Sequence, residues 1–389
     1  MMARLGDICN ILNGYAFKSE DYISSGIRII RIANVQKGYI EDSTPAFYPI
    51  DTPNIGKYML LENDLLVSLT GNVGRVALLK KEFLPAALNQ RVACIRIKDG
   101  APYDKSFVYC CLNSDFFENK CIQSAKGVAQ KNMSTEWLKE YEIPDLSLEK
   151  QREIATVLNK LSDLINFRQQ QIIKLDELVK ARFVEMFGDL NFNENGLDIV
   201  SIEELCTLIK DGTHQTPTYT EDKQSGFKFL SSKDVMTQKI SWDDIKYIPT
   251  ELHEKLYATI QPKRNDILMS KNGVNYGVAA VNDTDEVFDI YVSLALLRPI
   301  VEKVNPVYLQ CAINSPDTKR QFDSSIKGIG VPNLHLGEIK KTKILLPPMS
   351  KQNEFVSFVE QIDKSKFEVQ QSLEKLETLK KSLMQQYFR

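Results

Sequence analysis

The sequence predicts an α+β fold used twice: two similar globules separated by a long antiparallel two-helix coiled coil, with an internal pseudo-two-fold repeat. Three observations carry this. Two segments, Glu149 to Phe187 and Ser350 to Arg389, contain neither Gly nor Pro. Their apolar residues step by four and three and keep one phase at an offset of 201 residues. Ahead of each lies a stretch in which short strand-like runs alternate with glycine-bearing loops in matched order. The implied division is 1–146 for the first globule, 147–188 for a central helix, 189–348 for the second globule and 349–389 for a C-terminal helix.

The first globule opens with a strand-like run at Gly26–Ile32. A second run, Asp64–Leu69, enters the loop Thr70-Gly71-Asn72-Val73-Gly74 and leaves through Arg75–Leu79, which reads as strand, glycine loop, strand. A glycine-containing loop at 125–132 and an Ile-Pro break at Pro144 close the unit.

In the central helix the stripe reads Ile154, Leu158, Leu161, Ile165, Arg168, Ile172, Leu175, Val179, Arg182 and Met186. Gly188 suits the position just past its end. The second globule repeats the pattern with Gly226–Leu230, Asp266–Ser270, the loop Lys271–Gly277, Val278–Val281, a glycine loop at 326–333 and a Leu-Pro break at Pro347. The last helix carries Phe355, Val359, Ile362, Lys366, Val369, Leu373, Leu376, Lys380, Leu383 and Tyr387. Such stripes need a partner, and each helix is the obvious one for the other. A helix of about 39 residues is about 58 Å long, against a radius of gyration of about 15 Å for a globule of about 160 residues. No linker is left over after Gly188, so the second helix has to start near the end of the first and run back.

With 43% hydrophobic and 26% charged residues the chain has ordinary globular composition. No apolar run approaches the length of a membrane span, and the first residues lack a signal-peptide core, which predicts a cytoplasmic protein without membrane contact. Seven cysteines, odd in number and without a C-x-x-C pair, read as reduced packing residues rather than a disulfide framework or zinc site. A net charge of −2 argues against an indiscriminate nucleic-acid coat but leaves local basic surfaces open.

Four stretches carry a resemblance to a known family: Gly14–Tyr22 followed by Ile29–Asn34, Asp211–Pro217, Asn63–Gly74 and Pro144–Ile154. With the doubled architecture, the chain resembles the specificity subunit of type I restriction-modification enzymes along essentially its whole length. The resemblance implies a non-catalytic subunit whose two target recognition domains each read one half of a bipartite, asymmetric DNA sequence, with the helices as spacer. It further implies double-stranded DNA, two modification (methyltransferase) subunits and two restriction or motor subunits as partners. S-adenosylmethionine, ATP and Mg²⁺ would then be held by those partners and not by this chain. The Gln, Lys and Glu residues between stripe positions fit a solvated surface or a subunit interface, and the resemblance favours the interface.

Phosphates are met by Lys, Arg, hydroxyls and amides, and base edges by Arg, Asn and Gln. The loop residues of these types nominated as DNA-binding are Tyr15, Lys18, Arg28, Arg31, Asn34, Thr70, Asn72, Arg75, Lys126 and Gln130 in the first globule. In the second they are His214, Gln215, Thr216, Lys228, Lys233, Lys271, Asn272, Asn275 and Lys327. The competing reading is that these are ordinary turns of a drifted duplication. His214 lacks further ligands beside it and reads as a loop hydrogen-bonding residue, not a metal ligand.

Other functions compete with this reading. A nuclease could use Asp317, Glu338 and Lys340 to hold Mg²⁺ and activate water, but Ser315-Pro316 reads as a helix start and the first globule has no equivalent acids. Asn305-Pro306-Val307-Tyr308 departs from the doubled proline of adenine methyltransferases, and no ATP-binding glycine loop is present. A two-headed protein-binding scaffold is the remaining alternative.

Overall fold

The computed structural model describes residues 1–125, 132–326 and 332–388. It divides into two compact units, one formed by 1–169 with 370–389 and the other by 170–369. Among the described residues no helix is long and apolar enough to cross a membrane.

The first unit contains β1 (Met2–Arg4), α1 (Leu5–Ile8), β2 (Cys9–Asn13), β3 (Ile27–Ile30), β4 (Phe47–Tyr48), β5 (Leu65–Ser68), β6 (Val76–Leu78), β7 (Ala86–Leu88) and β8 (Val92–Ile97). Then come α2 (Lys105–Leu112), α3 (Asp115–Ser124), α4 (Thr135–Glu140), β9 (Glu142–Pro144) and the start of α5 (Leu148–Phe187). Strands β2-β8-β5-β6 form a four-stranded antiparallel sheet, β4-β3-β7 a three-stranded mixed sheet and β1-β9 a two-stranded one. The Ile-Pro at 143–144 is therefore not a simple break, since it pairs with the N-terminal strand.

The second unit holds the end of α5, then β10 (Asp198–Ser201), β11 (Cys206–Asp211), β12 (Phe227–Leu230), β13 (Lys246–Ile248), α6 (Thr250–Tyr257), β14 (Ile267–Ser270), β15 (Ala279–Val281), β16 (Phe288–Ile290) and β17 (Leu294–Pro299). It continues with α7 (Pro306–Ile313), α8 (Pro316–Ser325), α9 (Leu336–Lys341), β18 (Lys343–Leu346) and the start of α10 (Met349–Phe388). Its sheets, β11-β17-β14-β15, β13-β12-β16 and β10-β18, repeat the order of the first unit.

Shared side-chain devices explain why one topology forms twice. Asp64, almost fully buried, accepts from the Leu61 N–H at 2.7 Å and from Arg96 Nε and Nη2 at 2.8 and 2.6 Å. Asp266 does the same with the Lys263 N–H and Arg298. Each pair joins the edge of a β-turn to the neighbouring strand of the larger sheet, and its two-point geometry suits arginine. Ser114 and Ser315 cap α3 and α8, leaving fewer helix N–H groups without acceptors.

The starts of the long helices are fastened alike. Gln151 is fully buried; its Oε1 accepts from the Asp104 N–H at 2.8 Å, and its Nε2 donates to the Pro102 and Leu146 carbonyls. Gln352, also fully buried, binds the Asn305 N–H, Lys303 O and Pro347 O in the same way.

In the first unit Ile154 and Leu158 of α5 share a core with Leu383, Tyr387 and Phe388 of α10, and Phe388 meets Phe107 edge-on at 5.7 Å. In the second unit Val179, Phe183 and Phe187 of α5 share a core with Phe355 and Val359 of α10, and Phe187 meets Tyr308 at 5.0 Å. Every stripe position named from the sequence is buried or half-buried, with Ile154, Leu158, Leu161, Ile165, Phe355, Val359 and Ile362 buried and Ile172, Leu175, Val179, Val369, Leu373, Leu376 and Leu383 half-buried.

Candidate nucleic-acid interface

In the first unit four loops are knitted together by backbone hydrogen bonds at one place. The Tyr15 N–H donates to Leu88 O at 2.9 Å and the Gln90 N–H to Tyr15 O at 3.0 Å. The Leu69 N–H donates to Arg91 O at 3.0 Å, the Met133 N–H to Leu69 O at 2.8 Å, and Thr70 bridges to Asn132. Gly14 makes the first contact possible, because a Cβ there would lie 2.2 Å from the Asn89 backbone.

The second unit builds the same junction. The Val292 N–H donates to Thr213 O at 2.9 Å, the Lys271 N–H to Ser293 O at 2.9 Å and the Leu334 N–H to Lys271 O at 2.9 Å, and Asn272 bridges to Asn333. Gly212 takes the place of Gly14, with room for a Cβ denied by Ile290 O at 2.4 Å. The glycine loops leave their strands on a shared serine anchor: Ser68 Oγ donates to Asn72 O at 2.5 Å and accepts from the Arg75 N–H, while Ser270 Oγ donates to Asn275 O at 2.8 Å and accepts from the Val278 N–H.

The side chains carried by these junctions differ. In the first unit Tyr15 is 47% exposed against Phe17 and Tyr58, and Lys18 and Asn72 are exposed. Arg75 is half-buried and donates to Gln36; with the Asn72 amide oxygen turned toward it, Arg75 also donates to Asn72 at 3.2 Å. Arg31 lies 5.9 Å from the Tyr22 ring and donates to Thr44 O at 2.5 Å. Thr70 is half-buried. In the second unit His214, Gln215, Thr216 and Asn275 are exposed, and His214 Nε2 lies 3.6 Å from Asp211. Lys233 reaches Asp234 and Asp244, and Asn272 is half-buried. At the base of the 271–277 loop, Tyr276 and Lys319 both bind Asp323, and these bonds, Lys319 first, hold its carboxyl below its ordinary range.

Four nominations are corrected. Asn34 is buried: its Oδ1 accepts from the Arg31 N–H and its Nδ2 donates to Glu41 O, so its amide shapes a turn and does not face solvent. Lys271 is buried and ion-paired with Asp211. Arg28 is ion-paired with Asp42 with its guanidinium 5.0 Å from the Phe47 ring, and Lys228 is paired with Glu286 at 2.7 Å beside Trp242. These cations satisfy acids of their own unit. Lys126, Gln130 and Lys327 lie outside the described residues.

The nuclease triad is dispersed into other partnerships. Asp317 accepts from the Leu190 N–H and pairs with Arg320, and Lys340 pairs with Glu203. Ser315 caps α8 and Pro316 opens it, as the sequence indicates. Among the described residues no group of His, Cys, Asp and Glu is arranged to hold a metal ion.

Residues absent from the sequence-derived set also meet at the first junction: Asn89, Gln90 and Arg91 form the turn between β7 and β8, the last two exposed. Their signal was three base-reading residue types in a row; it was hidden because the run lies between two apolar strands.

The sequence family described as the type I restriction modification DNA specificity domain matches residues 1–177 and 194–380. The type I restriction enzyme EcoBI specificity subunit of Escherichia coli is 23% identical over 414 residues, covering 99% of this chain and 84% of that protein. The EcoAI specificity subunit of the same organism is 33% identical over 196 residues, covering 49% of this chain and 33% of its own length. Among solved structures, the S subunit of a type I restriction-modification system from M. genitalium matches with a TM-score of 0.57 at 16% identity, covering 100% of this chain and 96% of its own. A chain from a structure on complex assembly and conformational transition of the type I R-M system matches at 0.60 and 16%, covering 100% and 97%. At these identities the two structural matches speak to the fold.

Proposed function

The chain belongs to the type I restriction-modification DNA specificity family, and from that premise we propose how its halves divide the work of a non-catalytic DNA-recognition subunit. Each globule, 1–146 and 189–348, acts as a target recognition domain reading one half of a bipartite, asymmetric sequence in double-stranded DNA. Segments 147–188 and 349–389 act as an antiparallel coiled-coil spacer. The observation that carries the reading is the junction itself: the same backbone knot occurs in both units with different side chains on it. Two like frames with unlike surfaces suit two unlike half-sites.

The spacer role is supported by the shared phase of the stripes. It is also supported by each unit separately, where one long helix begins in the core that receives the other's last phenylalanine. We assign two modification subunits to the helical faces and two restriction or motor subunits to the complete assembly, in the cytoplasm. S-adenosylmethionine, ATP and Mg²⁺ belong on those partners. The loop residues Tyr15, Lys18, Arg31, Thr70, Asn72 and Arg75, and His214, Gln215, Thr216, Lys233, Asn272 and Asn275, are the proposed DNA contacts left among the described residues after the corrections above.

The test is a change of ruler. Removing one heptad from each long helix keeps the stripe in phase and shortens the spacer by about 10 Å, or roughly three base pairs at ~3.4 Å each. Mapping methylated positions in cells carrying the modification subunit with either form of this chain should return unchanged half-sites with a gap shorter by that amount. Altered half-sites at a constant gap would refute the spacer. A scaffold for proteins instead of DNA would give binding without the steep salt dependence that phosphate contacts impose.

A further inference from the structure

The first globule contains six arginines in residues 1–146, and five of them have an acceptor. Arg4 pairs with Glu140, Arg28 with Asp42 and Arg96 with Asp64, Arg31 donates to Thr44 O and Arg75 to Gln36. Arg91 is the exception: it is exposed, and among the described residues no carboxylate or carbonyl receives its guanidinium. Its backbone is held fast. Val92 N–H donates to Asn89 O at 3.0 Å, the Arg91 N–H to Asn89 Oδ1 at 3.2 Å, the Gln90 N–H to Tyr15 O, and Arg91 O accepts from the Leu69 N–H. A guanidinium with no acceptor among the described residues, on a turn clamped from both flanking loops, is preorganised for a directional contact.

The repeat supplies an internal control. By the same backbone bonds, Arg91 corresponds to Ser293 of the second unit, which is only 9% exposed and accepts from the Ser232 N–H at 3.0 Å. Asn89-Gln90-Arg91 is matched there by Tyr291-Val292-Ser293. The turn is part of the frame in both units but carries base-reading chemistry in only one. A turn needed solely to hold phosphate would have no reason to differ so completely, because phosphates look alike at both half-sites.

Resting on the proposed reading of DNA by the two globules, we infer that Arg91 is a specificity-determining residue of the first: its guanidinium recognises one guanine through O6 and N7 in the major groove. Tyr15, half-exposed, belongs to the same junction through the Gln90 N–H that donates to its carbonyl, and Gln90 is the neighbouring amide. The fork geometry of arginine matches the two guanine acceptors, whereas a lysine presents a single point charge.

The experiment uses the full chain assembled with its modification subunit and duplexes carrying the mapped target, in which each guanine of both half-sites is replaced in turn by 7-deazaguanine. That replacement removes N7 and preserves pairing. The natural chain should lose about 10- to 100-fold in binding at one guanine of one half-site. Arg91→Ala should show at least that loss on the natural target, because it also forfeits the bond to O6, and no further loss from the replacement at that guanine; Arg91→Lys should fall between the natural chain and Arg91→Ala. Discrimination at the other half-site stays unchanged in both variants, which also reports that they fold. Equal weakening by Arg91→Ala on every sequence, with the salt slope reduced by about one, would make Arg91 a phosphate contact and overturn the inference. If the natural chain discriminated no sequence at all, the DNA-reading function itself would fall, a result distinct from the first.

Discussion

Superimposed by their hydrogen bonds, the two units agree wherever a residue supports the frame and disagree wherever it faces solvent at the junction. Asp64 with Arg96 and Asp266 with Arg298, Gln151 and Gln352, Ser68 and Ser270, Gly14 and Gly212 are equivalent in residue type and partner. The glycine loops are not. The second is one residue longer, and between the shared Gly and Asn it holds Val274, which is 88% exposed. A frame fixed by buried polar pairs tolerates changes on its loops, since those changes disturb none of the bonds that set backbone position. That separation lets one fold serve two half-sites.

One frame position breaks the rule and gives the largest expected effect. Lys271 is 4% exposed and paired with Asp211, while Leu69, its backbone equivalent, is 6% exposed and apolar. Asp211 is matched by Asn13, each residue preceding the glycine that has no room for a Cβ. Lys271→Leu strands the Asp211 carboxylate, a loss of about 3 kcal/mol in urea unfolding, at the low end for a broken buried pair because Asp211 keeps some contact with water. Adding Asp211→Asn imports the first unit's chemistry and should restore stability to within about 1 kcal/mol. A double variant as unstable as the single one would mean that the frames are not interchangeable at this point.

The glutamine clamps test the opposite claim, that equivalent residues do equivalent work. Gln151→Leu leaves the Asp104 N–H and the Pro102 and Leu146 carbonyls without partners in a buried site, and Gln352→Leu does the same to the Asn305 N–H, Lys303 O and Pro347 O. Each substitution should cost about 2 kcal/mol. Hydrogen exchange should show early loss of protection at Asp104 in one variant and at Asn305 in the other. Loss at both amides from either change would show that the clamps are not confined to their own units.

The long helices were legible to within one residue at their starts, because an uninterrupted stripe without Gly or Pro leaves few alternatives. The strands flanking the glycine loops were equally readable from their apolar runs. The site was less so, for a physical reason: a polar side chain in the sequence does not announce its partner. Lys271 finds Asp211 across 60 positions, and Asn34 spends its amide on Arg31 and Glu41. Arg91 is the converse, an arginine between apolar strands that resembles a strand-edge residue until the structure shows its side chain exposed, with no acceptor among the described residues.

Ionisation of the thiols gives the smallest effect and sharpens the comparison. Five cysteines lie in the first globule and two in the second, none in a disulfide. Burial pushes Cys9, Cys206 and Cys311 up to about 12 and Cys110 up to about 11, from an ordinary value of 9.0, and it raises Cys94, Cys111 and Cys121 as well. The folded chain thus keeps its thiols protonated where the unfolded chain releases the protons, so the unfolded state binds fewer protons above pH 9. The stabilisation is complete below the ordinary value and is lost as pH rises from about 9 toward 12. Since more of these groups sit in the first unit, alkaline solution should loosen it first. Alkylation with iodoacetamide, followed residue by residue, should leave all seven thiols unmodified in the native chain at pH 8. Above pH 9 it should reach Cys9 and Cys110 before Cys206 and Cys311, and the reverse order would show that thiol burial does not set the relative stability of the two units.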